Sequence, residues 1–118
     1  MSVICWNVKR GVAAALVGVA LLVGELSSRA EETATVAISV KNHHFQPAEP
    51  RAPANRPVIL RVKNLDSTAM EFESVSLRVE KVVAPNSEGI INLRPLSPGR
   101  YNFFDDFHQD TQGTLVVQ

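Results

Sequence analysis

From residue 36 onward apolar residues recur at every second position, and nowhere do they recur at the three-to-four-residue spacing of a helix. Val36, Ile38 and Val40 alternate with Ala37, Ser39 and Lys41, and Val58, Leu60 and Val62 alternate with Ile59, Arg61 and Lys63. A period of two puts one set of side chains on one face of a strand, so each run predicts a strand with one buried face. Met70–Ser74 reads as a short extended piece. A further run begins where Leu77 and Val79 oppose Arg78 and Glu80 and continues to Val83. Ile91 and Leu93 mark another strand, Tyr101 and Phe103 begin an aromatic one, and Thr114–Val117 closes the chain.

The segments between are rich in turn formers. Pro47, Pro50 and Pro53 fall in Gln46–Arg56 and Pro57 follows, which excludes helix there and predicts an extended edge and loop. Asn64–Ala69 predicts a polar loop, Pro85-Asn86-Ser87 with Gly89 a turn, Ser97-Pro98-Gly99 a turn, and Phe107–Gln112 a loop. About seven short strands with closely spaced turns predict an all-β Greek-key sandwich or barrel in one domain, residues 31–118.

Residues 1–30 predict a secretory signal peptide. Lys9 and Arg10 precede an uncharged run, Gly11–Gly24, which is too short for a membrane span of about 20 residues. Ser28-Arg29-Ala30 places small residues before a cut at Glu31. The expected compartment is the periplasm, with the domain soluble after cleavage. The 118-residue chain carries 12 basic and 12 acidic side chains. Removing Lys9, Arg10, Arg29 and Glu25 with the leader leaves nine basic and eleven acidic residues. That balance excludes a strongly basic nucleic-acid binder. The single cysteine, Cys5, lies before the apolar run, so the predicted mature domain has no disulfide and no thiolate ligand. Neither Gly-x-Ser-x-Gly nor His-Glu-x-x-His occurs, which argues against common hydrolytic chemistries.

Three stretches hold more ligand-type side chains than a sandwich needs: Asn42-His43-His44-Phe45, Ala69-Met70-Glu71-Phe72-Glu73-Ser74, and Phe103-Phe104-Asp105-Asp106-Phe107-His108-Gln109-Asp110. The candidate metal ligands are Glu71, Glu73, Asp105, Asp106 and His108, with Met70 as a sulfur donor. Glu71 and Glu73 share a strand face, and Asp106 and His108 would share one if the chain stayed extended. Carboxylates with imidazole suit iron, manganese, or divalent copper held through nitrogen and oxygen. His43 and His44 are further candidates, and surface histidines of no role are common.

Asn64-x-Asp66, Met70-Glu71-Phe72, Pro98-Gly99-x-Tyr101-x-Phe103, His108 and Gly113-Thr-Leu-Val-Val together resemble the cupredoxin pattern. More narrowly, Glu71-Phe72-Glu73-Ser74, Arg78-Val79-Glu80-Lys81-Val82-Val83 and Phe103-Phe104-Asp105-Asp106-Phe107-His108 resemble small periplasmic cupredoxin-like proteins of bacterial high-affinity iron-uptake systems. The resemblance spans about residues 34–118. It implies a cupredoxin-like fold, convergence of segments 70–73 and 105–110 at one end, a bound iron or copper ion, and an inner-membrane iron permease as partner. Measured against that pattern, Met70 stands where the first copper histidine would be and Asp105 where the cysteine would be. A blue-copper site needs two histidines and a cysteine, so the resemblance implies a metal that is not type 1 copper. Three functions stay open: iron or copper binding in support of iron uptake, with or without help in oxidising ferrous iron; copper binding or delivery through Met70, His108 and His43 or His44; and a metal-free interaction module.

Overall fold

A computed structural model describes residues 32–118. The predicted leader, 1–30, lies outside the described residues. Nine strands follow in chain order: β1 Ala34–Lys41, β2 His44–Gln46, β3 Arg51–Ala52, β4 Val58–Asn64, β5 Met70–Ser74, β6 Val79–Val83, β7 Glu88–Leu93, β8 Gly99–Asp105 and β9 His108–Val117. They form a four-stranded sheet, β2-β1-β4-β7, and a five-stranded sheet, β3-β9-β8-β5-β6. β1 and β4 pair in parallel, as do β3 and β9; the other pairs are antiparallel. No helix occurs among the described residues.

The alternating runs became the inner faces. Val36, Ile38 and Val40 from β1 and Val58, Leu60 and Val62 from β4 are buried against Met70, Phe72, Phe103, Leu115 and Val117 of the other sheet. Phe103 stacks on Phe72 with ring centroids 4.9 Å apart, and the edge of Phe45 meets Phe103 at 4.8 Å. Each buried phenylalanine contributes about 2 kcal/mol or more. Gly113 pairs with Phe103 across β8 and β9 and gives its ring room: a Cβ there would lie 2.5 Å from one ring carbon and 2.6 Å from another.

The structure corrects the sequence reading in four places. There are nine strands rather than about seven, because two short edge strands add to the count, β2 ending where the proline-rich segment begins and β3 within it. Phe107–Gln112 is not a loop: a two-residue turn at Asp106-Phe107 lets His108 pair with Asp105, and β9 begins there. That stretch is polar on both faces, so it holds its place through the backbone ladder and gives no alternation signal. Leu77 and Arg78 belong to the turn before β6, with Arg78 left-handed at φ 58°. Asn64 ends β4 as a buried residue. Its Nδ2 lies 2.8, 3.3 and 3.2 Å from the carbonyls of Thr68, Val83 and Ala84, and its Oδ1 accepts the Asp66 N–H at 3.0 Å. Asn64 thereby fixes the start of the β4–β5 loop and the position of Asp66.

Candidate metal centre

Two hairpin turns and one loop carboxylate build the site. Lys41 pairs with His44, so Asn42 and His43 form the two-residue turn between β1 and β2. Both have positive φ, 52° and 60°. A two-residue hairpin favours this backbone because its twist matches the strands. Asparagine suits the first position, but the second is usually glycine, and a histidine there is held against its own preference. Asp66 does the holding: its Oδ1 accepts the Asn42 N–H at 2.6 Å and its Oδ2 the His43 N–H at 3.0 Å. From the other side, the Thr111 hydroxyl donates to the His43 carbonyl at 2.7 Å. Burial pushes the Asp66 carboxyl upward, but the two amides and the nearby His43 and His108 imidazoles outweigh it and leave it below its ordinary 3.8.

The second turn, Asp106-Phe107, returns the chain from β8 to β9. Asp105, the last residue of β8, is fully buried. Its Oδ1 accepts N–H groups from Glu71 and Phe107, each at 3.0 Å. Its Oδ2 lies 2.8 Å from Nδ1 of His108. The imidazoles of His43 and His108 then meet with centroids 4.1 Å apart and planes 38° apart. One donor atom each from His43, Asp105 and His108 lie within 4.8 Å of one another, with His43 49% exposed, His108 33% and Asp105 at zero. Two nitrogens and a carboxylate oxygen at this spacing suit a transition-metal ion reached from solvent.

Glu71, Glu73 and Asp106 form a separate cluster with the same 4.8 Å span. The Asp106 N–H donates to the Glu71 carbonyl at 2.9 Å, and Gln109 Nε2 donates to Asp106 Oδ1 at 3.0 Å. Glu73 pairs with Glu80 across β5 and β6. Desolvation pushes the Glu71 carboxyl up, and hydrogen bonding with Asp106 and the charges of Glu80, Asp106 and Glu73 push it further. Glu73 is raised by desolvation and by Asp106 and Glu80.

The candidate ligands therefore divide. Asp105 and His108 sit with His43; Glu71, Glu73 and Asp106 sit together elsewhere. The expected shared face of Asp106 and His108 is absent, because the turn at Asp106-Phe107 reverses the chain between them. Met70 is 1% exposed, packs in the core and belongs to neither nitrogen–oxygen cluster. His44 and Asp110 also lie outside both. By sequence alone His43 and His44 are equal candidates. Asn-His between two alternating runs, where Asn-Gly would be ordinary, is the signal that marks His43.

The sequence pattern of the cupredoxin-like domain family matches residues 13–117. An uncharacterized protein of Rickettsia prowazekii is 45% identical over 83 residues, which are 70% of this chain and 66% of that protein's length. Among solved structures, the metal binding domain of a Cu(I)-exporting P-type ATPase of Streptococcus pneumoniae, with Cu(I), aligns over 74% of this chain and 96% of its own at TM-score 0.63 and 14% identity. Auracyanin A, a "blue" copper protein from Chloroflexus aurantiacus, aligns over 74% and 100% at TM-score 0.62 and 14% identity. A purple cupredoxin from Nitrosopumilus maritimus aligns over 72% and 99% at TM-score 0.50 and 20% identity. At these identities the structural likenesses establish the fold, and the sequence match carries the relationship. The chain belongs to the cupredoxin-like domain family.

Proposed function

We propose that this domain is a periplasmic metal-binding protein that holds an iron or copper ion at the His43–His108–Asp105 cluster, in support of iron uptake through an inner-membrane permease. One observation carries the metal reading: two imidazoles and a fully buried carboxylate present donor atoms within 4.8 Å of one another on a fold whose structural neighbours include copper proteins. The donor set decides what kind of metal fits. Cys5 is the chain's single cysteine, and the sequence resemblance implies that Asp105 stands where the cupredoxin pattern has cysteine. A copper–thiolate centre does not fit, whereas divalent copper or iron bound through nitrogen and oxygen does. A bound ion of this kind would supply Lewis acidity or one-electron chemistry. The chain's own part is to orient two imidazoles and keep one side open to solvent.

The iron pathway and the permease rest on the sequence resemblance to proteins of iron-uptake systems, and the periplasm rests on the leader-like segment 1–30. The test has two arms. Elemental analysis of protein purified from the periplasm is expected to find iron or copper near one equivalent. Cells lacking the protein are expected to take up ferrous iron more slowly, with rescue by the wild type and not by His108→Ala. Metal-free protein together with unchanged uptake would favour the interaction-module reading.

A further inference from the structure

Asp105 is the one wholly buried member of the metal cluster, and its oxygens are already engaged. Oδ1 accepts two backbone N–H groups, from Glu71 and Phe107, and Oδ2 faces Nδ1 of His108 at 2.8 Å. A carboxylate only accepts, so this contact puts the proton on Nδ1. In a neutral imidazole the lone pair then falls on Nε2. We infer that Asp105 is a positioning residue rather than a ligand: it holds His108 in the Nδ1–H tautomer so that the metal is taken by Nε2 of His108 together with His43, leaving the remaining coordination positions open to an incoming donor. This deepens the function proposed above and rests on it.

The backbone anchors make Asp105 suited to that role. Glu71 opens toward it from β5 and Phe107 from the β8–β9 turn, so the carboxylate is fixed by two elements at once. Moving Oδ2 onto a metal would break its bond to His108 and tug on both anchors. A carboxylate–histidine–metal arrangement avoids this, and removing such a partner lowers metal affinity about 10- to 100-fold.

Asp105→Asn isolates the effect. The asparagine oxygen still accepts the Glu71 and Phe107 amides, because both bonds go to the one atom, Oδ1. Its NH₂ then faces Nδ1 of His108 and donates where the carboxylate accepted. The opposite flip would set that NH₂ against two N–H groups and is disfavoured. The variant should therefore keep the fold and force the proton onto Nε2, the atom assigned to the metal.

The experiment uses the full chain with Cu²⁺ and Zn²⁺ as probes. Nitrogen-15 NMR of the wild type without metal is expected to show His108 protonated at Nδ1, and with Zn²⁺ to show the shift at Nε2 while the Nδ1–H signal persists. Asp105→Asn is expected to melt close to the wild type, show His108 protonated at Nε2, and bind Cu²⁺ at least tenfold more weakly. Wild-type His108 protonated at Nε2, or Zn²⁺ shifting Nδ1 instead, overturns the inference even if the variant fails to fold. So does Asp105→Asn binding as tightly as the wild type. His43→Ala and His108→Ala separate the two levels. If neither weakens Cu²⁺ binding, the proposed metal site fails and this inference with it; if both do and Asp105→Asn does not, the positioning role alone falls.

Discussion

Asp66→Ala tests whether a loop carboxylate remote in sequence assembles the metal site. Asp66 touches His43 through its backbone, at 3.0 Å to the His43 N–H and 2.6 Å to that of Asn42. Hydrogen bonds to a charged acceptor contribute about 1.5–3 kcal/mol each. Both amides lie near solvent, where water replaces part of the loss, so about 2 kcal/mol for the pair is a fair figure. Against that stands roughly 1–2 kcal/mol to keep His43 left-handed at φ 60°. With Asp66 the turn is favoured by about 1 kcal/mol or less; without it the turn is disfavoured by roughly 1–2 kcal/mol, and His43 spends most of its time away from His108. Apparent affinity falls with the population of the competent turn. A loss of about 2 kcal/mol corresponds to as much as 30-fold, and the turn's initial surplus absorbs part of it, so roughly 5- to 30-fold weaker binding is expected. Calorimetric titration with Cu²⁺ measures the affinity, and NMR of the metal-free protein follows the ring shifts that His43 and His108 induce in each other. Affinity within twofold of the wild type, with those ring shifts intact, would refute the reasoning.

Two further predictions concern the scaffold and the second acidic cluster. Gly113→Ala would drive a methyl to 2.5–2.6 Å from two carbons of Phe103, whose ring is pinned by Phe72 and Phe45. About 3 kcal/mol of destabilisation is expected, a Tm drop of roughly 12–24 °C in a domain of this size, and a drop under 5 °C by circular dichroism would show that the ring has room. Glu71 and Glu73 carry carboxyls raised above the ordinary 4.5, so the folded state keeps protons that the unfolded chain has released. Their deprotonation therefore lowers stability as pH climbs from about 4.5 through the raised values. Asp66, held below 3.8, acts in the opposite sense: its contribution is present above 3.8 and fades only as pH falls below it. Glu71→Gln with Glu73→Gln should flatten the metal-free protein's stability slope between pH 4.5 and 7, and denaturation curves with an unchanged slope would remove the repulsion argument.

What could be read in the sequence follows from which interactions are periodic. Val36, Ile38 and Val40 or Val58, Leu60 and Val62 advertise their face because burial repeats every second residue, and both runs became inner faces. His108–Gln112 has no apolar face to advertise, so its strand rests on backbone pairing with β8 and reads as loop. The candidate ligands were found mostly by residue type, but not their partition. Asp105 and Asp106 are neighbours in sequence, yet one is buried against His108 and the other joins Glu71 and Glu73. A register shift at Phe104/Asp105 and the turn after it set that division, and neither follows from composition. His43 enters the site through Asp66, 23 residues later, which is itself placed by the buried Asn64. Such contacts are long-range and leave no local pattern; only the histidine at a turn position that favours glycine hints at them.

Everything proposed for the site depends on His43 and His108 together taking a metal ion. Calorimetric titration of Cu²⁺ into the wild type, His43→Ala and His108→Ala tests it most directly. One ion per chain is expected for the wild type and at least tenfold weaker binding for either variant, since each leaves a single imidazole in the cluster. Equal affinities in all three proteins would contradict it.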